Sequence, residues 1–146
     1  MLVVLDNVLS DNDNQKVLDY IQTDGWVEGS SPLQPLLAIA GQYINLSSMI
    51  GYEYWCNSNQ QGLDWHTDKD EKLFHTSGQL ELPLCSMVYY AKIQDLAGGE
   101  FISNSEIIRP VENRLVLFSA GLMHKVDPYT GTRIAVSINL WARRLE

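Results

Sequence analysis

Regular alternation of polar and aliphatic residues gives the clearest structural signal, and it lies near the end of the chain. The strand that it predicts, Thr132–Ala142, has polar or aromatic residues on one face and aliphatic ones on the other: Arg133, Ala135, Ser137, Asn139 and Trp141 against Ile134, Val136, Ile138 and Leu140. Two arrangements fit this pattern. Either the polar face meets water, or helices cover the aliphatic face and the polar face lines a cavity.

Six further short runs of strand character are separated by Gly, Asn, Asp and Pro. We predict strands at Ile50–Asn57, Leu84–Ile93, Glu100–Ile102, Glu106–Ile108, Arg114–Phe118 and His124–Val126. Many short strands without alternating helices are typical of an antiparallel sandwich or barrel. The long connection at 67–83 is expected to act as a functional lid, because long loops in compact domains are usually functional.

Helical signals are confined to the part of the chain before residue 42. Ser10 is followed three residues later by an acid, which predicts an N-cap and a helix that ends at Asp24-Gly25. A second short helix is predicted at Leu33–Ala38. Together with the strands, these helices predict a mainly β protein with flanking N-terminal helices.

The length of 146 residues is that of one domain, so we expect a single domain over 1–146. Within it, helical support is predicted at about 10–40 and a β core at about 42–142. The chain has 10 basic and 18 acidic residues and a net charge of −8, which argues against a nucleic-acid partner.

Localisation is predicted from the start of the chain and from its cysteines. The first residues lack the basic region of a signal peptide, and no stretch is long enough to span a membrane, so no membrane partner is expected. Cys56 and Cys85 are interpreted as core thiols of a reducing compartment, although a single disulfide is also compatible with the sequence. A cytoplasmic protein is predicted, in the host cytoplasm if the source is viral.

Candidate metal ligands occur at two places in the second half of the chain. His66 and Asp68 are two residues apart, so on a strand or at its end both can reach one ion. His124 lies at the edge of another predicted strand and supplies a third ligand. Two histidines and one carboxylate form the facial triad of non-haem Fe(II) oxygenases. Arg133, nine residues later, is suited to bidentate capture of a carboxylate.

Three segments together resemble the Fe(II)/2-oxoglutarate-dependent dioxygenases, and more narrowly their prolyl 4-hydroxylase-like branch with its small phage and bacterial members. These segments are HTD at 66–68, GGEF at 98–101, and the stretch 114–141 that contains both His124 and Arg133. The resemblance implies a double-stranded β-helix, or jelly roll. It also implies Fe(II) as cofactor, 2-oxoglutarate and O₂ as cosubstrates, and ascorbate as an optional auxiliary.

The resemblance also implies roles for individual residues. His66, Asp68 and His124 match the catalytic iron ligands, and a carboxylate at position 68 favours hydroxylation over halogenation. Four residues match positions that contact 2-oxoglutarate: Arg133 at the distal carboxylate, Tyr90 beside it, Phe101 as an apolar wall, and Tyr54 on a strand face shared with Tyr52 and Cys56. For Tyr52 and Tyr54, ordinary core packing is the alternative.

For the substrate, the resemblance points to a prolyl residue in a peptide or protein, hydroxylated with release of succinate and CO₂. A small-molecule substrate such as free proline is also compatible with this short chain. The alternative function is a cupin-like metal-binding jelly roll without 2-oxoglutarate chemistry, and a third is a structural jelly roll whose histidines only pack. The oligomeric state is left open by the sequence.

Overall fold

Two antiparallel sheets form most of the chain in the computed structural model, which describes residues 1–145. Its strands are β1 Leu2–Leu5, β2 Gly25–Val27, β3 Gly51–Cys56, β4 Leu63–His66, β5 Cys85–Gly98, β6 Phe101–Ser103, β7 Ile107–Ile108, β8 Arg114–Ser119, β9 His124–Val126 and β10 Tyr129–Trp141. Its helices are α1 Asp11–Tyr20, α2 Gln34–Ala40 and α3 Glu71–Ser77. The predicted mainly β jelly-roll class with N-terminal helices is confirmed.

The large sheet has the order β1-β8-β5-β10-β3-β2, and the small sheet has the order β4-β9-β6-β7. In the large sheet, β10 pairs along almost its whole length with β5 on one side, and residues Val136–Trp141 pair with β3 on the other. The small sheet brings β4 beside β9, although almost sixty residues separate them in the sequence. This second pairing matters for function, because it joins the two segments that carry the predicted metal ligands.

Both predicted N-terminal helices are present. The Ser10 hydroxyl accepts a hydrogen bond from the Asp13 N–H, as the capping pattern predicts, and α1 buries Val17 against the sheet. The second helix, α2, has a proline in its first turn, where the missing N–H costs no hydrogen bond. Its buried residues are Leu36, Leu37 and Ala40.

Three strands, β1, β2 and β4, and one helix lie outside the segments that the residue pattern predicts. The short strand β2 follows α1 and pairs with β3, and β4 ends at His66. Within the connection 67–83, α3 begins after Asp70, whose carboxylate accepts a hydrogen bond from the Leu73 N–H. It ends at Gly78, whose φ of 72° is the left-handed conformation that glycine adopts readily. No residue of α3 is buried, so the helix has no apolar stripe that could have predicted it.

The two faces of the large sheet pack against different surroundings. The face that α1 and α2 cover is apolar and includes the aliphatic side of β10: Val136, Ile138 and Leu140. The opposite face is turned toward the small sheet, and Tyr90 and Ala135 on it form a smaller apolar cluster with Phe101 of β6. Arg133 and Asn139 are buried on this inner face. Of the two arrangements open to β10, helices therefore cover its aliphatic face and its polar face lines the interior.

Two further properties of the described residues bear on the predictions. No helix in residues 1–145 is long and apolar enough to cross a membrane. Cys56 and Cys85 are both free thiols, so they do not form the disulfide that the sequence left open.

Candidate active site

The pairing of β4 with β9 brings His66, Asp68 and His124 together. His66 and His124 face each other directly across the two strands, and their ring centroids are 4.3 Å apart. Asp68 lies just beyond the end of β4, and its Oδ1 is 3.5 Å from the Nε2 atom of each histidine. One potential ligand atom from each residue lies within 4.8 Å of the other two. The arrangement is a cluster of two imidazoles and one carboxylate around a common point.

Backbone hydrogen bonds orient both imidazole rings. His66 Nδ1 is 2.7 Å from the carbonyl oxygen of Asp64, and His124 Nδ1 is 2.8 Å from the carbonyl oxygen of Leu122. A carbonyl oxygen only accepts hydrogen bonds, so each Nδ1 carries the proton and donates it. The lone pair of each neutral ring therefore lies on Nε2, the atom that faces Asp68. These two hydrogen bonds prepare the rings as metal ligands.

The electrostatics of the cluster favour an ionised Asp68 and a neutral His124, whereas they favour protonation of His66. Burial opposes ionisation of Asp68, but hydrogen bonding to His66 and the nearby His124 still hold the pKa of Asp68 below its usual value. Burial lowers the pKa of His124, which keeps its imidazole neutral. The hydrogen bond with Asp68 raises the pKa of His66, and burial only partly offsets this.

Arg133 and Tyr90 form a second polar group on the inner face. Both are buried, and the guanidinium carbon of Arg133 lies 5.3 Å from the centre of the Tyr90 ring. The Tyr129 ring lies at 5.5 Å from the same carbon. The Arg133 Nε and the Tyr90 hydroxyl are buried without a hydrogen-bond partner among the described residues. Unsatisfied buried donors are rare in folded proteins, so this pair is prepared for an acceptor that the chain itself does not supply.

Phe101 is the first residue of β6 in the small sheet, and it is buried beside His124. Its ring stacks on the His124 imidazole with a centroid distance of 4.9 Å and an interplanar angle of 16°. Phe118 packs against both rings, at 5.1 Å from Phe101 and 4.9 Å from His124. Phe101 is thus an apolar wall residue next to one histidine of the cluster.

The expectation that Tyr54 faces the pocket is wrong. Tyr54 pairs with Ile138, so it lies on the helix-covered face of the sheet, where it stacks on Tyr20 at 5.0 Å. Tyr52 lies on the same face, and its hydroxyl is hydrogen-bonded to Ser31 at 2.5 Å. The physical reason is the two-residue period of a strand, which turns Glu53 and Trp55 inward and their neighbours outward.

A hydrogen-bonded chain of inward residues was missed from the sequence. The Ser86 hydroxyl donates to Asn139 Oδ1 at 2.7 Å, and Asn139 Nδ2 donates to Glu53 Oε1 at 3.2 Å. The indole N–H of Trp141 donates to the same Glu53 oxygen at 3.2 Å. Ser86 also lies beside Asp68 and helps to lower its pKa. The alternation in β10 could have indicated Asn139 and Trp141, but it does not show which face of β3 they meet.

The geometry of the site agrees with a comparison to known families. A family model described as the 2OG-Fe(II) oxygenase superfamily matches residues 51–143, which is more than half of the chain. The chain belongs to the 2OG-Fe(II) oxygenase superfamily. It is therefore a 2-oxoglutarate-dependent dioxygenase that uses Fe(II). No curated protein matches the oxygenase by sequence.

Solved structures share the fold of the oxygenase at low sequence identity. The viral collagen prolyl hydroxylase of Paramecium bursaria Chlorella virus-1, in its 2-oxoglutarate complex, is 13% identical with a TM-score of 0.66, covering 95% of this chain and 94% of its own. A Trichoplax adhaerens prolyl hydroxylase bound to a hypoxia inducible factor peptide fragment is 16% identical with a TM-score of 0.64, covering 97% and 83%. HygX from Streptomyces hygroscopicus, with nickel and 2-oxoglutarate bound, is 15% identical with a TM-score of 0.63, covering 96% and 81%.

The residues of the oxygenase fit both Fe(II) and 2-oxoglutarate, which its family uses. Two imidazole nitrogens and one carboxylate oxygen suit Fe(II) and leave other coordination positions open. The unpartnered donors of Arg133 and Tyr90 suit a carboxylate, which only accepts hydrogen bonds.

Proposed function

We propose that the oxygenase hydroxylates a prolyl residue in a peptide or protein, with release of succinate and CO₂. In this proposal His66, Asp68 and His124 are the iron ligands, and Arg133 and Tyr90 bind the distal carboxylate of 2-oxoglutarate. Phe101 forms the apolar wall between them. We further propose that residues 1–146 act as one domain in the cytoplasm, without a nucleic-acid partner.

The observation that carries the assignment of the cosubstrate site is the buried, unpartnered Arg133–Tyr90 pair. A buried guanidinium without a carboxylate is costly, since its charge has lost water and found no counter-ion. The Arg133 Nη1 donates a hydrogen bond to the Asn57 carbonyl oxygen, but at 3.5 Å this bond is weak. A cupin-like protein without 2-oxoglutarate would have no use for this arrangement.

Each residue of the site has a definable task. Bound Fe(II) supplies the activation of O₂, coupled to oxidative decarboxylation of 2-oxoglutarate. His66 and His124 present Nε2 because their Nδ1 protons are held by backbone carbonyls. Asp68 would supply a negative oxygen to the metal, and a carboxylate at this position favours hydroxylation over halogenation. Phe101 and Phe118 pack on His124 and exclude water from that side of the centre.

The proposal of a prolyl substrate is supported by the solved structures that share the fold. Two of the structures that share the fold are prolyl hydroxylases, and one of them is bound to a peptide. In the oxygenase, an open cavity of about 460 Å³ lies beside His66 and Asp68 and is large enough for a proline with its neighbours. The connection 67–83 borders this cavity through Lys69–Lys72, which supports its predicted role as a lid.

Anaerobic titration with Fe(II) and 2-oxoglutarate tests the cosubstrate site. We expect the weak visible charge-transfer band of the chelate in the wild type. In Arg133→Ala the same band should require about 100-fold more 2-oxoglutarate, because a buried charge-assisted contact of a few kcal/mol is lost. Iron binding without a band would contradict the cosubstrate site and favour a cupin-like protein. Absence of iron binding would contradict the metal centre itself.

Mass spectrometry of proline-containing peptides tests the substrate. We expect a gain of one oxygen atom at proline, with succinate formed in equal amount. The same peptides with alanine in place of proline are the control. Coupled turnover on the alanine peptides, or turnover on no peptide in an enzyme that binds 2-oxoglutarate, would contradict prolyl hydroxylation.

A further inference from the structure

The cavity beside the metal cluster has one wall built from the inward residues of β3 and β10. Glu53 and Trp55 of β3 and Asn139 of β10 line it, and Lys69–Lys72 form the opposite side. His66 and Asp68 form its inner end. A molecule held in this cavity is therefore in contact with the β3 wall and close to the metal centre at the same time.

Glu53 is held rigidly but keeps one oxygen free. Its Oε1 accepts hydrogen bonds from Asn139 and Trp141, both at 3.2 Å. Its Oε2 accepts none within residues 1–145, although the residue is half-buried. Asn139 is fixed in turn by Ser86, so the carboxylate cannot easily turn away from the cavity. The structure therefore presents a fixed carboxyl oxygen to whatever enters.

The other carboxylates of the cavity wall are already neutralised. Asp70 pairs with Arg143, and Glu71 pairs with Lys69 at 3.3 Å. Glu53 has no ion pair among the described residues, since its partners Asn139 and Trp141 are neutral. Lys72 carries the remaining positive charge and is exposed on α3.

The metal centre does not neutralise Glu53 either. A divalent ion, one aspartate, the doubly charged 2-oxoglutarate and Arg133 sum to zero, so the centre offers no positive charge to Glu53. The whole chain has a net charge of −8, which attracts positively charged molecules. Trp55 stands two residues from Glu53 on the same strand face, and an aromatic face next to a carboxylate is suited to a cation.

Resting on the proposed function, we propose that Glu53 is the specificity-determining residue of the oxygenase. It binds a positively charged ammonium or guanidinium group of the substrate, next to the residue that is hydroxylated. The preferred substrate is thus a basic one: a proline flanked by lysine or arginine in a peptide, or a free amino acid recognised through its own ammonium group.

Calorimetric titration separates this role from a structural one. The oxygenase is loaded with Mn(II), which does not react with O₂ here, and with 2-oxoglutarate. The probes are capped Gly-Lys-Pro-Gly and Gly-Pro-Lys-Gly peptides, each compared with its Nε-acetyl-lysine form, and L-proline compared with N-acetyl-L-proline. Acetylation removes the positive charge, and it also adds an acetyl group and removes N–H donors, so each comparison is made in wild type and variants alike.

The test variant is Glu53→Gln, whose amide oxygen still accepts the hydrogen bonds of Asn139 and Trp141. The matched control is Glu71→Gln, which removes a charge from the same cavity that is already paired. We expect the charged form of at least one probe to bind the wild type and Glu71→Gln about tenfold more tightly than its acetylated form. In Glu53→Gln the difference should fall below about twofold, while thermal unfolding stays unchanged.

Preference for the lysine peptides would identify a peptide source, and preference for L-proline alone would identify a small-molecule source. The proposal is overturned if acetylation has no effect on the wild type, if the preference for charge survives in Glu53→Gln, or if no charged probe binds. Failure of the proposed function is seen separately, because 2-oxoglutarate binding to the Mn(II) protein is measured before any probe is added.

Discussion

The two faces of the large sheet are built from alternate residues of the same strands, yet only one of them is complete. On the helix-covered face, residues such as Leu117, Ile138 and Leu140 are fully buried among other apolar side chains. Even its buried phenol is satisfied, since the Tyr89 hydroxyl lies 2.6 Å from Asn14 Oδ1 and 2.8 Å from Asn113 Oδ1, either of which can accept its one proton. On the inner face, Arg133 and Tyr90 are buried with unpartnered donors. The helix-covered face forms the apolar core, whereas the inner face has buried donors that need an acceptor from a ligand.

The largest expected effect comes from removing the carboxylate of the inner face. Asp68→Ala should abolish coupled succinate formation and metal binding, because two imidazoles alone leave the ion without its charged ligand. At a metal concentration 100 times the dissociation constant, Mn(II) should stabilise the wild type by about 2.7 kcal/mol and the variant not at all. Thermal unfolding with and without the metal measures this. Unchanged succinate production in Asp68→Ala would contradict the ligand assignment.

A large-to-small substitution on the helix-covered face should lower stability without weakening 2-oxoglutarate binding. Leu117→Ala removes a fully buried side chain and should cost about 2–5 kcal/mol in the free energy of unfolding. The 2-oxoglutarate concentration needed for the charge-transfer band should stay within about twofold of wild type. Denaturant unfolding and the anaerobic titration measure the two quantities. A large rise in the 2-oxoglutarate requirement would show that the two faces are coupled.

Removing one hydroxyl from the inner face should weaken ligand binding without weakening the fold. Tyr90→Phe deletes a hydroxyl that has no partner within residues 1–145, so unfolding should change by less than about 0.5 kcal/mol. The 2-oxoglutarate requirement should rise about tenfold, as expected for a hydrogen bond to a charged group. An unchanged requirement, measured by the same titration, would remove Tyr90 from the cosubstrate site.

The smallest effect is expected for the tyrosine on the other face. Tyr54→Phe should leave the 2-oxoglutarate requirement within about twofold of wild type, because Tyr54 stacks on Tyr20 under the helices. Tyr54→Phe and Tyr90→Phe remove the same hydroxyl group from opposite faces of one sheet, so the two variants can be compared directly. A strong effect of Tyr54→Phe would mean that the face assignment of β3 is wrong.

Much of this architecture can be predicted from the sequence because strand alternation is a local property. The two faces of β10 follow from its own residues, and the sheet confirms that helices cover the aliphatic one. The clustering of His66, Asp68 and His124 depends instead on which strands become neighbours. That information came from the order of motifs along the chain, and the pairing of β4 with β9 agrees with it.

The face of β3 could not be predicted in the same way. Tyr52, Tyr54 and Cys56 alternate with Glu53 and Trp55, so either set could have faced the interior on local grounds. The register against β10 decides the question, because Tyr54 pairs with Ile138 and Glu53 with Asn139. Glu53 was missed for this reason, and α3 was missed because its few residues bury nothing.

The hydrogen bonds from the two histidine rings to the carbonyls of Asp64 and Leu122 have a consequence for competition among metals. They orient both nitrogen donors before any ion arrives, so binding needs little rearrangement. Donors of this kind bind nickel and copper more strongly than ferrous iron, following the general order of divalent affinities. Occupancy is therefore decided by the supply of each ion and not by selection at the site. Preparations of the protein will carry whichever metal the expressing cell or the purification column offers, and iron will have to be restored before activity is judged.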